Sequence, residues 1–183
     1  MNSLEQQLLQ QQINQHEAVI FDSNIWLFLF APSFITPQRY QSDRYSFIFK
    51  YILENQNKRI FLTSTNISEF INRCLRNDFN KQFNLDDNGK SKNLDYKKDY
   101  RTSNEYLKTH AMILKQLGKI LQLPNVELIH DEFNSFHLIQ YYNDYNLADF
   151  NDLLILHVAK QKKCAIISND KDFQGFTDVK VIK

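Results

Sequence analysis

Short apolar runs alternate with longer segments in which apolar residues recur every three or four positions. The run "AVIF" (residues 18–21) lies between Glu17 and Asp22. Its length and lack of polar alternation predict a strand buried on both faces. "RIFLTS" (59–64), "VELIH" (126–130) and "CAIISND" (164–170) read the same way, and "DVKVI" (178–182) reads as a short last strand. Helical spacing fills the intervals. "SNIWLFLFA" (23–31) opens with Ser23 or Asn24 at a cap. Residues 40–56 put Tyr45, Ile48, Phe49 and Ile52 on one face. Residues 66–79 do so with Ile67, Phe70, Ile71, Cys74 and Leu75. Residues 102–123 form a long helix that Pro124 ends, and 132–145 and 151–161 read as two more. Residues 1–16 predict a polar, Gln-rich helix capped by Asn2 or Ser3, with Leu4, Leu8 and Leu9 as a thin stripe. Strands alternating with helices predict a parallel sheet of four to five strands covered on both faces, a three-layer α/β/α fold.

The 183 residues, 43% of them hydrophobic, suit one domain spanning residues 1–183 with its own core. Three Gly and three Pro argue against an all-β or loop-rich architecture. The irregular piece is residues 77–101, polar, charged and interrupted by Gly89. It is too long for an ordinary connection and reads as an insertion, either a surface excursion or a lid. Cys74 and Cys164 lack metal-ligand spacing and read as inert buried thiols, which suits a reducing cytoplasm. No apolar run reaches the roughly 18 residues of a membrane span, and the first residues lack the pattern of a signal peptide. The formal charge of +1 gives no whole-surface field for a polyanion, so an anionic partner must be met locally or through a bound cation.

The candidate chemistry lies at the strand ends. In parallel sheets ligands bind beyond the carboxyl ends of the strands. Asp22 follows the first strand and Asp170 the fourth, Glu69 lies early in the helix after the second, and Asp149 and Asp152 begin the helix before the fourth. All five are expected at one rim, while surface solvation accounts for Asp172 as readily as a place at the site. Acids at helix N-termini also have a structural reason to be there. Carboxylates gathered closely repel, and a divalent cation keeps such a set ionised. Oxygen-only ligands favour Mg²⁺ or Mn²⁺ over zinc. Two such ions suit in-line phosphodiester displacement.

These motifs, in their order, make the chain similar to the PIN-domain family of metal-dependent ribonucleases, which includes VapC-type toxins. The residues that carry the resemblance are "FDSN" with Asp22 and Asn24, "FLTSTNISEF" with Glu69, and "DLLILHVAKQKKCAIISNDKDF" with Asp152 and Asp170. The resemblance covers most of residues 18–182. It implies that Asp22, Glu69, Asp152 and Asp170 are the catalytic, metal-binding acids. Asp149 and Asp172 would be auxiliary metal ligands, and Asn24 and Ser168 supports that orient carboxylates and water. One or two Mg²⁺ or Mn²⁺ ions, an RNA substrate, an antitoxin protein and a homodimer follow from it. Between Asp149 and Asp152, spacing favours Asp152. The chain departs from the toxins in its bulkier helix after Asp152 and its longer 77–101 segment.

Arg73 and Arg76, one and two turns after Glu69, are candidates for RNA backbone contact. Lys97, Lys98 and Arg101, among Tyr96 and Tyr100, are candidates for phosphate contact and base stacking. Asp86, Asp87, Asp95 and Asp99 offer the alternative of a balanced, solvated loop. His110, His130, His137 and His157 form no nucleophile set and read as structural. A haloacid-dehalogenase-like phosphatase would want Asp where Asn24 stands, and no G-x-G-x-x-G supports a dinucleotide fold. The expected function is a metal-dependent endoribonuclease, with a catalytically silent RNA- or protein-binding module as the alternative.

Overall fold

The computed structural model describes residues 1–32, 39–86, 88–145 and 148–183, so Asp87 lies outside the described residues. Five strands form one sheet: β1 (Ala18–Phe21), β2 (Arg59–Leu62), β3 (Val126–Leu128), β4 (Ala165–Ile167) and β5 (Val181–Ile182). Their spatial order is β3-β2-β1-β4-β5, and every pairing is parallel. Seven helices are described around them: α1 (Ser3–Asn14), α2 (Ser23–Phe30), α3 (Arg39–Glu54), α4 (Ser64–Asp78), α5 (Asn104–Leu121), α6 (Leu138–Asp144) and α7 (Phe150–Lys162).

Successive side chains of β1 part to opposite faces, as a strand's period of two requires. Val19 and Phe21 join the core beneath α1 to α5, with Ile60, Leu62 and Ile167. Ala18 and Ile20 join the core beneath α7, with Leu153, Leu156 and Ile166. Both faces are therefore apolar, which is why the strands read as continuous hydrophobic runs. Seven consecutive residues of α7, Leu153 to Ala159, are buried. Such a helix is apolar nearly all round because it is sunk into the body. The bulk noted in the sequence fills this second core.

Three expectations need correction. The buried stripe of α1 is Leu9 and Ile13; Leu4 and Leu8 are solvent-exposed. Asn2, not Ser3, caps it by accepting from the Glu5 amide (2.9 Å). Residues 132–145 do not form one helix. Glu132 takes a left-handed conformation (φ 54°), Phe133–Ser135 make a single 3₁₀ turn, and α6 starts only at Leu138. The aromatic rings of Phe136 and Tyr141 both pack on His157 instead. The 77–101 segment is also more regular than its composition suggests. Asn77 and Asp78 complete α4, and π-helical turns cover Phe79–Phe83 and Tyr96–Tyr100.

This insertion is anchored by a buried polar contact. Tyr100, fully buried, donates to Asp78 Oδ2 (2.5 Å), and Thr109 of α5 donates to the same oxygen (2.7 Å). Phe79, Phe83, Tyr96 and Tyr106 surround the Tyr100 ring. Cys74 and Cys164 are buried and unpaired, and burial pushes both thiols up to about 12. They are inert at neutral pH. His157 is buried as expected of a structural residue. Its Nε2 donates toward Glu132 O (3.2 Å) and Ser135 Oγ (3.0 Å), leaving Nδ1 to accept from Tyr141 (3.0 Å). No helix among the described residues is long and apolar enough to cross a membrane.

Candidate active site

The chain lays down β1 first, then β2 on one side and β4 on the other. The order reverses between β1 and β4, and a crevice opens at such a switch point at the carboxyl ends. Pairing of Phe21 with Ile167 sets Asp22 opposite Ser168. The Asp22 amide donates to Ile167 O (3.0 Å). The Ser168 hydroxyl, fully buried, donates to Asp22 Oδ2 (2.8 Å).

Asp22 stands at the N-cap of α2, yet its side chain makes no capping hydrogen bond. The carboxylate is turned instead to Ser168 and Asn24. The Asn24 amide donates to Asp22 Oδ2 (3.3 Å) and to Asp170 Oδ2 (3.5 Å), so one nitrogen lies between two acids from different strands. Ser168 Oγ also accepts from the Asp170 amide (3.0 Å), fixing the turn after β4. The Asp172 amide donates to Asp170 Oδ1 (3.1 Å), while the Asp172 residue is exposed. Asn24 and Ser168 thus hold both acids.

Glu69 reaches the same edge from α4. It accepts from Ser23 Oγ (2.8 Å) and pairs with Arg73 Nε (2.9 Å), and Arg73 also donates to Asn24 Oδ1. Asp149 and Asp152 share a capping box on α7. The Asp152 amide donates to Asp149 Oδ1 (3.0 Å), and Asp152 Oδ2 accepts from the Asp149 amide (3.4 Å). Asp149 is exposed and Asp152 half-buried.

Electrostatics joins what the hydrogen bonds leave apart. Burial pushes the Asp22 carboxyl up to about 6, opposed by the Ser168 hydrogen bond and reinforced by Glu69. Burial pushes Asp152 up to about 8, helped by the charges of Asp149, Asp22 and Asp170. Asp152 thus shares a field with Asp22 and Asp170. Desolvated like charges carry a standing penalty that a cation relieves. The donors are all hard oxygens, which fits Mg²⁺ or Mn²⁺ rather than zinc. Among the described residues, no group of three His, Cys, Asp or Glu side chains is close enough to hold a metal ion unaided.

The cationic candidates divide. Arg73 is drawn into the acid cluster through Glu69. Arg76 stacks on Tyr96, its guanidinium carbon 3.9 Å from the ring centroid. Lys97, Lys98 and Arg101 are exposed and make no ion pair among the described residues. Asp95 accepts from the Lys97 and Lys98 amides (2.8 and 2.7 Å), and Asp99 accepts from the Asp95 amide (2.6 Å).

Three supporting residues had no role in the sequence reading. Neither Ser23 nor Asn24 is the cap of α2 that the sequence predicts, since Asp22 holds that position, and Ser23 instead holds Glu69. Asn66, fully buried, donates to Phe21 O (3.2 Å) and so ties α4 to the end of β1. Its signal was local: Thr63 and Asn66 form a reciprocal capping box, and an amide at that position has hydrogen bonds left over. Lys183 Nζ donates to Asp170 O (3.1 Å), a contact across 13 residues with no local signature.

The fold agrees with solved structures. VapBC2 from Rickettsia felis, bound to a DNA fragment from its promoter, superposes with a TM-score of 0.52 at 14% identity, covering 90% of this chain and 97% of that one. No curated protein matches the sequence. The PIN domain family model matches residues 19–178, nearly the whole span from β1 to the segment before β5. The chain belongs to the PIN-domain family.

Proposed function

We propose that the chain is a metal-dependent endoribonuclease acting through Asp22, Glu69, Asp152 and Asp170. The observation that carries this reading is the meeting of Asp22 and Asp170 on one amide, Asn24, at the β1/β4 switch point, with Asp152 in their field. PIN domains are generally nucleases, and the family generally uses divalent metals.

In this reading Asp22, Glu69, Asp152 and Asp170 would hold one or two Mg²⁺ or Mn²⁺ ions, with Asp149 and Asp172 at the margin. A bound ion supplies a more acidic water and draws charge from the phosphoryl oxygens. The remaining work belongs to the chain. Ser168 and Asn24 fix the Asp22 carboxylate against rotation. Ser23 and Asn66 keep Glu69 and the start of α4 in register with β1. Arg73 places a guanidinium beside the acids, where it meets the phosphate that anions alone would repel. Arg76 near the end of α4 stacks on Tyr96, and Lys97, Lys98 and Arg101 beside Tyr96 would carry basic and aromatic contacts onward to the RNA backbone. The products are a 5′-phosphate and a 3′-hydroxyl. A protein partner of antitoxin type is supported by the likeness to VapBC2, and a homodimer by the family resemblance; the chain acts in the cytoplasm.

A catalytically silent binding module is favoured by one observation: Glu69 is already neutralised by Arg73. A cleavage assay separates the readings. Mixed labelled RNAs are incubated with chelator, Mg²⁺ or Mn²⁺, with Asp22→Asn as control. Metal-dependent cleavage that the variant lacks supports the nuclease. No cleavage and no Mn²⁺ binding by calorimetry support the silent module.

A further inference from the structure

A cavity of about 600 Å³ opens beside the acid cluster, between α1, the start of α3 and the segment after β4. That volume lies within the range of small-molecule sites. Its walls include Glu5, Tyr40, Arg44, Tyr45, Asn169 and Lys183. Two of its walls adjoin the candidate active site. Asn169 immediately precedes Asp170, and Lys183 is bonded to the Asp170 carbonyl oxygen (3.1 Å).

The wall chemistry is selective. Glu5 pairs with Arg44, and Asp43 offsets Lys183, so the cavity is no general trap for polyanions. Its aromatic and amide groups are more distinctive. Tyr40 stands 64% exposed, with its ring available for stacking, and Tyr45 forms a buried wall. Four buried side-chain atoms among the described residues lack any hydrogen-bond partner, and two of them belong to this wall: the donor Arg44 Nε and the acceptor Asn169 Oδ1. An unpaired buried donor and acceptor are each unfavourable. A ligand that lets these side chains turn and pair recovers the loss. A flat ring edge carrying both an acceptor and a donor, with a face to stack, is the chemistry of a nucleobase. Bases of single-stranded RNA are read in this way, by aromatic stacking and edge hydrogen bonds.

We propose that this cavity is a nucleobase subsite, which receives one base of a single-stranded RNA beside the bond at the acid cluster. Tyr40 stacks on the base, Asn169 and Arg44 read its edge, and Lys183 meets the adjoining phosphate. The inference rests on the ribonuclease reading, and it would make this cavity the source of any base preference at the cut.

The test is binding of labelled hexaribonucleotides, one for each base, by fluorescence anisotropy in chelator, where no metal-dependent cleavage occurs. Cleavage sites are mapped separately with Mn²⁺. The variants are Tyr40→Ala and Asn169→Ala, with Leu107→Ala, exposed on α5, as control. Tyr40 is on the surface, so its removal leaves the fold intact, which thermal unfolding checks. The wild type is expected to favour one base. Tyr40→Ala weakens binding about tenfold for every base, as loss of one stacked ring does. Asn169→Ala levels the four oligonucleotides, and cleavage sites lose their base preference with it. If both variants bind like wild type while wild-type cleavage is intact, the subsite is wrong and the nuclease stands. If the variants lose RNA and no metal yields cleavage, the subsite stands and the nuclease reading fails. A wild type that binds no RNA overturns both. Variants that lose a protein partner but bind RNA normally assign the cavity to that protein and overturn the proposal.

Discussion

Replacing Asp22 with Asn should make the metal-free protein more stable while abolishing its proposed activity. Asp22 is 4% exposed, and its pKa rises from 3.8 to about 6 chiefly through burial. A rise of that size corresponds to about 3 kcal/mol held against folding once the group is ionised. The sign follows from proton counts. Between about pH 4 and pH 6 the folded chain keeps a proton that the unfolded chain has released. Stability therefore falls as pH rises through that window, and the penalty is complete above about pH 7. Asparagine removes the charge and keeps the shape. Its carbonyl oxygen can take the place of Oδ2, which accepts from Ser168 and Asn24. Those bonds lose charge assistance, worth roughly 1 kcal/mol together. The net gain is then about 2 kcal/mol, or roughly 4–8 °C in Tm for a chain of this size. Thermal unfolding in chelator at pH 8 should show the variant ahead by that margin, and the gap should close by about pH 4. Saturating Mn²⁺ should reverse the order, since an ion at 100 times its Kd adds about 2.7 kcal/mol to the wild type and little to the variant. A variant no more stable than wild type at pH 8 would show that Asp22 is not held at the expense of the fold. Equal gains from Mn²⁺ in both proteins would place the ion elsewhere.

Other perturbations test the neighbours of Asp22. Asp152→Asn should abolish cleavage without loss of stability, whereas Asp149→Ala should lower stability by about 1 kcal/mol through loss of the α7 cap and leave measurable cleavage; unfolding and cleavage assays run together separate the two acids. Tyr100→Phe leaves the buried Asp78 short of one donor and should cost about 1–3 kcal/mol, with earlier proteolytic cutting within 79–103; unchanged unfolding would mean that the insertion is not anchored there. Arg73→Gln should weaken RNA binding in chelator and make the slope of log affinity against log salt shallower by about 1, and an unchanged slope would remove Arg73 from the RNA path. Burial holds the His157 pKa below its usual 6.5, so the unfolded chain binds the proton first and stability should fall as pH drops below about 6.5. His157→Gln should flatten that acid limb.

What the sequence showed and what it hid divide along the range of the contacts involved. The sheet was legible because strands buried on both faces leave an unbroken apolar run, and "AVIF" and "CAIIS" have no other easy use. Asp22 and Asp170 were legible because each ends such a run, and a parallel sheet sends all its carboxyl ends to one side. The α6 region was misread because its aromatic spacing is helical while its partners are not. Phe136 and Tyr141 turn to His157, and the chain bends at Glu132 to allow it. The stripe on α1 was misread for a related reason: Leu9 and Ile13 face the body, and nothing local tells them from Leu4 and Leu8. The pairing of Glu69 with Arg73 is an ordinary i, i+4 contact and was open to prediction from spacing alone. Its consequence was not, because Arg73 also reaches Asn24, the residue that bridges Asp22 and Asp170. One cation thereby meets Glu69 directly and is linked to Asp22 and Asp170 through a single amide. Within the proposed function, that arrangement makes Arg73 the competitor of a bound metal in the resting protein. It also makes Arg73 a ready phosphate contact once a metal frees it, so the same side chain would couple metal loading to RNA binding.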